Sequence, residues 1–533
     1  MFSLLELPNV KPDKPTLFLR RLASDLGCAC RLLSTHPGIP DAQRRWAEVG
    51  ITRVPSEQCF TPTRVAVAGA AGAGKSTLVS VLLRAGAGFQ ARQLDDGCGG
   101  ARAAVAAHKH ELLSGRTSAL RHHLLAYDAE GAPCEADRGT AHALRSLCEL
   151  PSSDKYSKTA LRGLTATRPH ALMLCCAAGP LPPAARQHLA AALALRVPVF
   201  CALTHADAAG GGAASAPHLR ELLCAAASAF AACRGASAAS PEDVVAPMIQ
   251  DEQGAGACAR SWQAQQRSQA AHQLQFPLLP LSCVTGQGLA TLHAFLCALC
   301  APTAEEAQRS AQSPPSQRFT FPVEALLSNA EAGTLAAGVC VAGGLSPGHC
   351  LWLGPVEGLP EPGASFIRLT ARSIHTAGSA SQRLLCGQAA SLALCPASAT
   401  DGEALARATA TQRKGLLLLG GEQAPPPPQR LLAAVLVPLM RDWRAASLML
   451  HAGSVRASAR VLSECAALAQ LEEELGDVTA RAAAAAAVLG HAPQAPLRVV
   501  FEMRTPQWVR CGEQLLVAEA GGGLLATGTV VDL

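Results

Sequence analysis

The chain has 533 residues, room for three or four compact units at roughly 150 residues each, so it is neither a peptide scaffold nor a single small domain. Lys plus Arg number 45 against 40 Asp plus Glu, a net +5, and 16% of residues are charged, against roughly 25% in ordinary globular chains, so net charge carries no argument for nucleic-acid binding. Aromatic residues make up 4%, which leaves the cores to Leu, Val and Ala, and 21 cysteines fall below the density of a disulfide scaffold.

No secretory n-region and h-region opens the chain, and Glu6 and Asp13 weigh against a transit segment. The longest weakly charged apolar run, 171–185, is broken by Gly179-Pro180 and Pro182-Pro183, so it cannot hold a spanning helix of about 20 residues. These features predict a soluble cytoplasmic protein with reduced thiols and no membrane association.

Taken in order, residues 17–33 suggest a helix, and the Pro37 to Pro40 stretch breaks it. Residues 64–68 (RVAVA) read as a short strand that ends in a Gly-rich turn, and 76–84 read as the helix that follows. Residues 171–177, 197–203 and 277–282 are further apolar runs separated by helical stretches, the pattern of a mostly parallel sheet. A helix is expected around 219–233. The Ala/Gly/Ser-rich segments 208–216 and 253–271 lack large apolar groups and read as loops or frayed helix. Cys297 and Cys300 form a CxxC without a second pair and read as buried helix cysteines.

Beyond residue 301 the pattern changes. Residues 309–318 are Ser/Gln/Pro-rich, as linkers are, and 423–429 form a second linker with four consecutive prolines. What lies between and after alternates with turns: Val339 and Val341 precede Gly343-Gly344, Pro347-Gly348 precedes 351–353, and 497–503, 514–518 and 525–531 read as strands. The outline is one α/β domain followed by two β-rich domains.

The segment Gly69, Ala70, Ala71, Gly72, Ala73, Gly74, Lys75, Ser76, Thr77 fits Gly-x4-Gly-Lys-Ser between a strand and a helix, the context a P-loop requires. Small residues let consecutive N–H groups curl around a β-phosphate at a helix N-terminus. Lys75 supplies a charge to the β- and γ-phosphates and Ser76 a hydroxyl to Mg²⁺. A low-complexity Gly/Ala turn is the bland alternative, and Lys-Ser in register after a strand argues against it. Further on, the 197–203 strand is followed by Thr204 and Asp207, a carboxylate at the sheet edge where ligands bind, able to accept both N1–H and N2–H₂ of guanine. Ser282 and Cys283 end a later strand and could place a backbone N–H at the guanine O6.

His108 to Ser118, with Glu111, Ser114, Gly115, Arg116 and Thr117 between them, and Tyr127-Asp128-Ala129-Glu130-Gly131 resemble the switch region of the GTP-binding protein one/two branch of elongation-factor-Tu-like GTPases. Asp154-Lys155-Tyr156, Leu195 to Phe200, Val284-Thr285-Gly286, Ser373-Ile374-His375, Gly387-Gln388-Ala389 and His451-Ala452-Gly453-Ser454 fit the same branch. The resemblance covers about 64–533. It implies an α/β P-loop G domain (61–303, after an extension 1–60) followed by two β-barrel domains (316–420 and 430–533). It also implies GTP and Mg²⁺ as cofactors, GTP hydrolysis that drives a switch in translation or RNA turnover, contact with ribosome, tRNA or other RNA, and a monomeric state. Carried over, Thr117 stands where the switch threonine binds Mg²⁺ beside Ser76. His108 and His110 fall within the switch and have no Cys/His partner at zinc spacing.

Departures from the family pattern cluster before Lys155-Tyr156, where Glu149-Leu150-Pro151-Ser152-Ser153-Asp154 replaces Asp-x-Ala-Gly-His. Glu149 replaces the Mg²⁺-linked Asp, Ser152 the glycine whose N–H meets the γ-phosphate, and Ser153 the water-positioning histidine. No catalytic residue is therefore assigned, and hydrolysis is expected to fall by a typical acid–base factor of ~10²–10⁴. The strand before this segment reads as shortened. His205 replaces a lysine and Gly72 an aspartate. A non-catalytic scaffold binding RNA or protein through its β-domains is the rival reading.

Overall fold

The structure is a computed structural model. It describes residues 5–7, 28–36, 45–53, 63–85, 94–103, 105, 111, 117–134, 141–177, 179–208, 216–235, 245–267, 273–300, 319–329, 333–359, 364–376, 379–386, 388–411, 415–444, 447–466 and 476–531. The strands β1 (Leu5–Leu7), β2 (Cys28–His36) and β3 (Arg45–Arg53) pair antiparallel in the order β1-β3-β2. The helix expected over 17–33 is therefore corrected over 28–33. These residues are strand, with Cys28 opposite Arg53 and Leu32 opposite Val49, and cross-strand pairing overrides the local helical tendency. The rest of that stretch lies outside the described residues, as do 209–215 and the pair His108 and His110.

From β4 (Thr63–Gly69) strands and helices alternate: α1 (Lys75–Arg84), α2 (Gly100–Ala103), β5 (Arg121–Tyr127), β6 (Pro133–Cys134), β7 (Ala143–Glu149), α3 (Ser157–Thr167), β8 (Ala171–Cys176), α4 (Pro183–Ala194), β9 (Val199–Leu203), α5 (Ala216–Cys233), α6 (Glu252–Arg267), β10 (Leu278–Pro280) and α7 (Leu289–Ala298). The seven strands form one sheet in the order β10-β9-β8-β4-β7-β5-β6, parallel from β10 to β7 and antiparallel at β5 and β6. A central strand of such a sheet is covered on both faces, which is why RVAVA is apolar without interruption. Val65 and Val67 pack with α1, α6 and α7, while Ala66 and Ala68 face α3, α4 and α5. Arg64 is buried because it donates to the C-terminal carbonyls of α3, Nε to Thr167 O at 2.8 Å and Nη2 to Arg168 O at 3.0 Å. Burial still lowers its pKa to about 10.

Three sequence expectations change here. β7 is seven residues long, the same as β4, so it is not shortened. The 253–271 segment is helix α6 as far as Arg267. Ala255 and Ala259 let it approach closely, and Trp262 alone supplies the large apolar group, meeting Phe200 edge-on at 5.9 Å and donating Nε1–H to Gln275 O at 2.9 Å. Cys297 is half-buried on α7, whereas Cys300 lies past its end and is exposed, so the two are not a buried pair.

β11 (Thr320–Asn329), β12 (Gly333–Val339), β13 (Cys350–Gly354), β14 (Ile367–Thr376), β15 (Ser379–Ser381), β16 (Ala389–Pro396), α8 (Ala399–Thr411) and β17 (Leu417–Gly420) follow. Six of these strands close a ring, β13-β17-β11-β12-β16-β14, through the β13–β14 pairing, with β15 beside β14. β18 (Gln429–Pro438), β19 (Leu448–Ala452), β20 (Val455–Ala466), α9 (Gly476–Leu489), β21 (Leu497–Gln507), β22 (Gln514–Glu519) and β23 (Leu524–Val531) form a second closed barrel, β18-β21-β20-β19-β22-β23. α9 buries Ala480 and Ala482 to Ala486 against α4 and α5, so one hydrophobic core runs from the G-domain helices into the second barrel. Arg196 pairs with Asp477 at 3.0 Å across the same seam, and Arg168 pairs with Glu513. Among the described residues no helix is long and apolar enough to cross a membrane.

Candidate nucleotide-binding site

The chain leaves β4 through the Gly-rich turn and enters α1, so the helix N-terminus faces the carboxyl edge of the sheet. Gly69 admits no side chain, since a Cβ would lie 2.4 Å from Cys175 O of β8. Gly74 caps α1 at φ +73°, a conformation that favours glycine. Lys75 folds back over the turn and donates Nζ–H to Ala70 O at 2.8 Å. It is buried, and desolvation lowers its pKa, partly offset by Cys175 and Glu149.

This turn forms one wall of a cavity of about 280 Å³. Of the residues singled out from sequence, Gly72, Gly74, Lys75, Ser76, Thr77, Thr117, Thr204, Asp207 and Cys283 line it. Gly69, Ala70, Ala71, Ala73, Ser282 and Ser153 do not. Several of these still shape it. Ala70 O holds Lys75, and Ala73 O accepts Thr204 Oγ1–H at 3.2 Å, which ties the turn to the loop after β9. Ser282 is fully buried, and its Oγ accepts from Val284 N and Thr285 N at 3.1 Å each, curling the loop that presents Cys283.

At the phosphate end Thr117 Oγ1 lies 3.1 Å from Ser76 Oγ and donates to Glu149 Oε1 at 2.8 Å, while Ser76 Oγ donates to the same oxygen. Glu149 is completely buried at the end of β7, and its Oε2 has no hydrogen-bond partner among the described residues. Arg121 Nη1 lies 3.8 Å from that oxygen. Arg121 also pairs with Glu111, whose Oε1 accepts Ser118 N–H and Oγ–H at 2.8 Å each and so fixes the residue after Thr117. The Glu149 carboxylate thus meets both hydroxyls directly. Two hydroxyls and a carboxylate with a free buried oxygen are hard donors that fit Mg²⁺.

At the base end, the turn after β9 holds His205 at φ +59°, its Nδ1 3.0 Å from Thr204 Oγ1. Asp207 is exposed to the cavity, and its carboxylate has no hydrogen-bond partner among the described residues. The opposite wall is Cys283, whose thiol pKa is pushed up to about 12 by burial, then by Asp95 and Asp207. At the remaining corner Ser152 lines the cavity, while Ser153 stands off it and its carbonyl accepts Tyr156 N–H at 2.8 Å. Among the described lining residues His205 is the sole imidazole, and it sits at the base end.

Sequence reading missed a whole wall: Asp95, Gly97, Cys98, Gly99 and Arg102. The available signal was the run Asp95-Asp96-Gly97, a turn-forming pattern just before a short helix. Asp95 Oδ2 accepts Gly97 N–H and Gly99 N–H at 3.1 and 3.2 Å, and Oδ1 accepts Ala101 N–H at 2.9 Å.

Residues 62–302 match the elongation factor Tu GTP binding domain. Mouse GTP-binding protein 2 is 30% identical over 389 residues, 70% of this chain and 59% of that protein. GTP-binding protein 1 of Xenopus laevis is 27% identical over 422 residues, 76% of this chain and 56% of that protein. The chain thus spans less than two thirds of the length of either relative. The crystal structure of bacterial selenocysteine-specific elongation factor EF-Sec superposes with a TM-score of 0.51 at 13% identity, covering 88% of this chain and 58% of that one, a likeness of fold. Residues 62–302 thus match the GTP-binding domain of the elongation factor Tu family, and the chain, a mostly parallel P-loop sheet followed by two closed barrels, is similar in sequence to GTP-binding proteins 1 and 2.

Proposed function

We propose that the chain binds GTP with Mg²⁺ in this cavity and uses slow hydrolysis as a conformational switch, in translation or RNA turnover. One observation carries the reading: Lys75 with Ser76, Thr117 and Asp207, drawn from three separate stretches of sequence, converge on a single cavity. Lys75 and the backbone N–H groups of the turn hold the phosphates, and Asp207 accepts from guanine N1–H and N2–H₂. Ser76, Thr117 and Glu149 would hold Mg²⁺, whose charge would offset that on the β- and γ-phosphate oxygens. In hydrolysis water attacks the γ-phosphorus in line, the bond to the bridging oxygen breaks, and GDP and phosphate leave. The domain map taken with this reading is an extension 1–60, a G domain 61–303 and barrels 316–420 and 430–533. Ribosome, tRNA or other RNA is the partner, and the protein is a cytoplasmic monomer.

Ser152 and Ser153 favour a second reading. Among the described residues no imidazole stands at that corner to orient attacking water, and the protein then acts as a nucleotide-binding scaffold. Filter binding of labelled GTP beside single-turnover assays separates the two. Binding with slow phosphate release supports the switch, tight binding without release supports the scaffold, and equal competition by ATP removes the guanine assignment. Loss of binding in Lys75→Ala is expected, and unchanged binding there would refute the site.

A further inference from the structure

The cavity wall that sequence reading missed carries a cation with no assigned task. Arg102 lies on α2 and lines the cavity together with Lys75, Ser76 and Thr77. Its backbone is braced from two sides. Asp95 N–H donates to Cys283 O at 2.9 Å, which hangs the loop from the base wall, and the neighbouring Ala101 is buried in the core beneath α1. The side chain folds back across Gly99, where an added Cβ would lie 3.2 Å from Nε and 3.4 Å from Cζ. Gly99 lines the same cavity, so the guanidinium rests on its wall.

The two acids of the loop do not neutralise it. Asp95 gives its oxygens to Gly97, Gly99 and Ala101 N–H, and Asp96 Oδ1 accepts from Cys98 and Gly100 N–H at 2.8 and 3.0 Å. The Arg102 guanidinium has no hydrogen bond or ion pair among the described residues. A charged fork on a rigid backbone, facing a cavity that also holds a buried ammonium, is arranged for a polyanion.

We propose that Arg102 is a phosphate-binding residue, a second side-chain cation that clasps the nucleotide's phosphates opposite Lys75. The inference rests on the nucleotide reading above. A triphosphate carries more negative charge than one ammonium and one divalent ion offset, and Arg102 supplies the difference from within the same chain. Its bidentate fork suits phosphate geometry better than a lysine point charge does.

The test is equilibrium titration of the full chain with fluorescent GTP and GDP and with guanosine, for the wild type, Arg102→Ala and Arg102→Lys, with thermal melts to confirm folding. Arg102→Ala is expected to weaken GTP and GDP by roughly 10- to 100-fold, the worth of hydrogen bonds to a charged group, with guanosine unchanged. Arg102→Lys is expected to fall between the two. Wild-type binding matched by both variants overturns the role of Arg102 and leaves the nucleotide site standing. Equal weakening of guanosine also overturns it, since the loop would then act on the base. A wild type that binds none of the ligands overturns this proposal together with the reading it rests on.

Discussion

The two ends of the cavity are built differently. At the phosphate end Ser76, Thr117, Glu149 and Arg121 are largely withdrawn from solvent and hydrogen-bonded or ion-paired to one another, and buried Lys75 is held by Ala70 O. At the base end His205 and Asp207 are exposed, on a short turn held by backbone bonds such as Ala206 N–H to Leu281 O at 3.1 Å. Removing one member of a buried ionic cluster strands the others, whereas an exposed carboxylate can change without disturbing its neighbours. On the proposed reading, ligand recognition at the phosphate end would be tied to folding, and at the base end it would be separable from it.

The largest effect expected from this contrast is at Arg121. It is 8% exposed and is the shared cation of Glu111 and Glu149, the latter completely buried. Arg121→Ala removes the cation shared by two buried carboxylates and is expected to cost about 3–5 kcal/mol in urea denaturation. A loss below about 1 kcal/mol would mean the cluster is less coupled than its geometry indicates. The next effect is on pH. His188 of α4 is buried, and desolvation first, then the Lys75 charge, lowers its pKa to about 4. The unfolded chain protonates His188 near its ordinary pKa of about 6.5 while the folded chain stays neutral. This contribution to stability is complete above that pH and is lost as pH falls toward the folded pKa. At pH 5 the loss amounts to about 2 kcal/mol. Comparing wild type with His188→Gln at pH 7 and pH 5 isolates it, and equal losses in both proteins would exclude His188 as the cause.

Much of the fold was legible because its signals were local. The P-loop needs its glycines and Lys-Ser in one stretch, and fully buried parallel strands are apolar runs that need no partner to be seen. The alanine helices were not legible. α6 and α9 pack through Ala255, Ala259 and Ala480 to Ala486, and in so Ala-rich a chain such a face has no contrast with a loop or a solvated helix. At the site, the motif residues could be placed, but the contact of Glu149 with both hydroxyls depends on how β7 sits beside β4, a long-range pairing that no spacing encodes. Arg102 escaped for the same reason. The bonds that put it on the wall run from Asp95 to Cys283, far apart along the chain.

The smallest expected effect on folding is the most direct test of the contrast. Asp207→Asn keeps size and shape at an exposed position with no hydrogen-bond partner among the described residues, so the denaturation midpoint should move by no more than about 0.5 kcal/mol. Base preference should nevertheless turn over. On the proposed reading the carboxylate accepts from two guanine donors, whereas an amide would offer a donor to the second carbonyl of xanthine and leave the guanine amino group with one acceptor fewer. Competition of GTP against xanthosine triphosphate, on the wild type and on the variant, reads this out. A variant that loses stability along with guanine would show the base end to be as welded into the fold as the phosphate end. One that keeps both its stability and its guanine preference would show that another group selects the base.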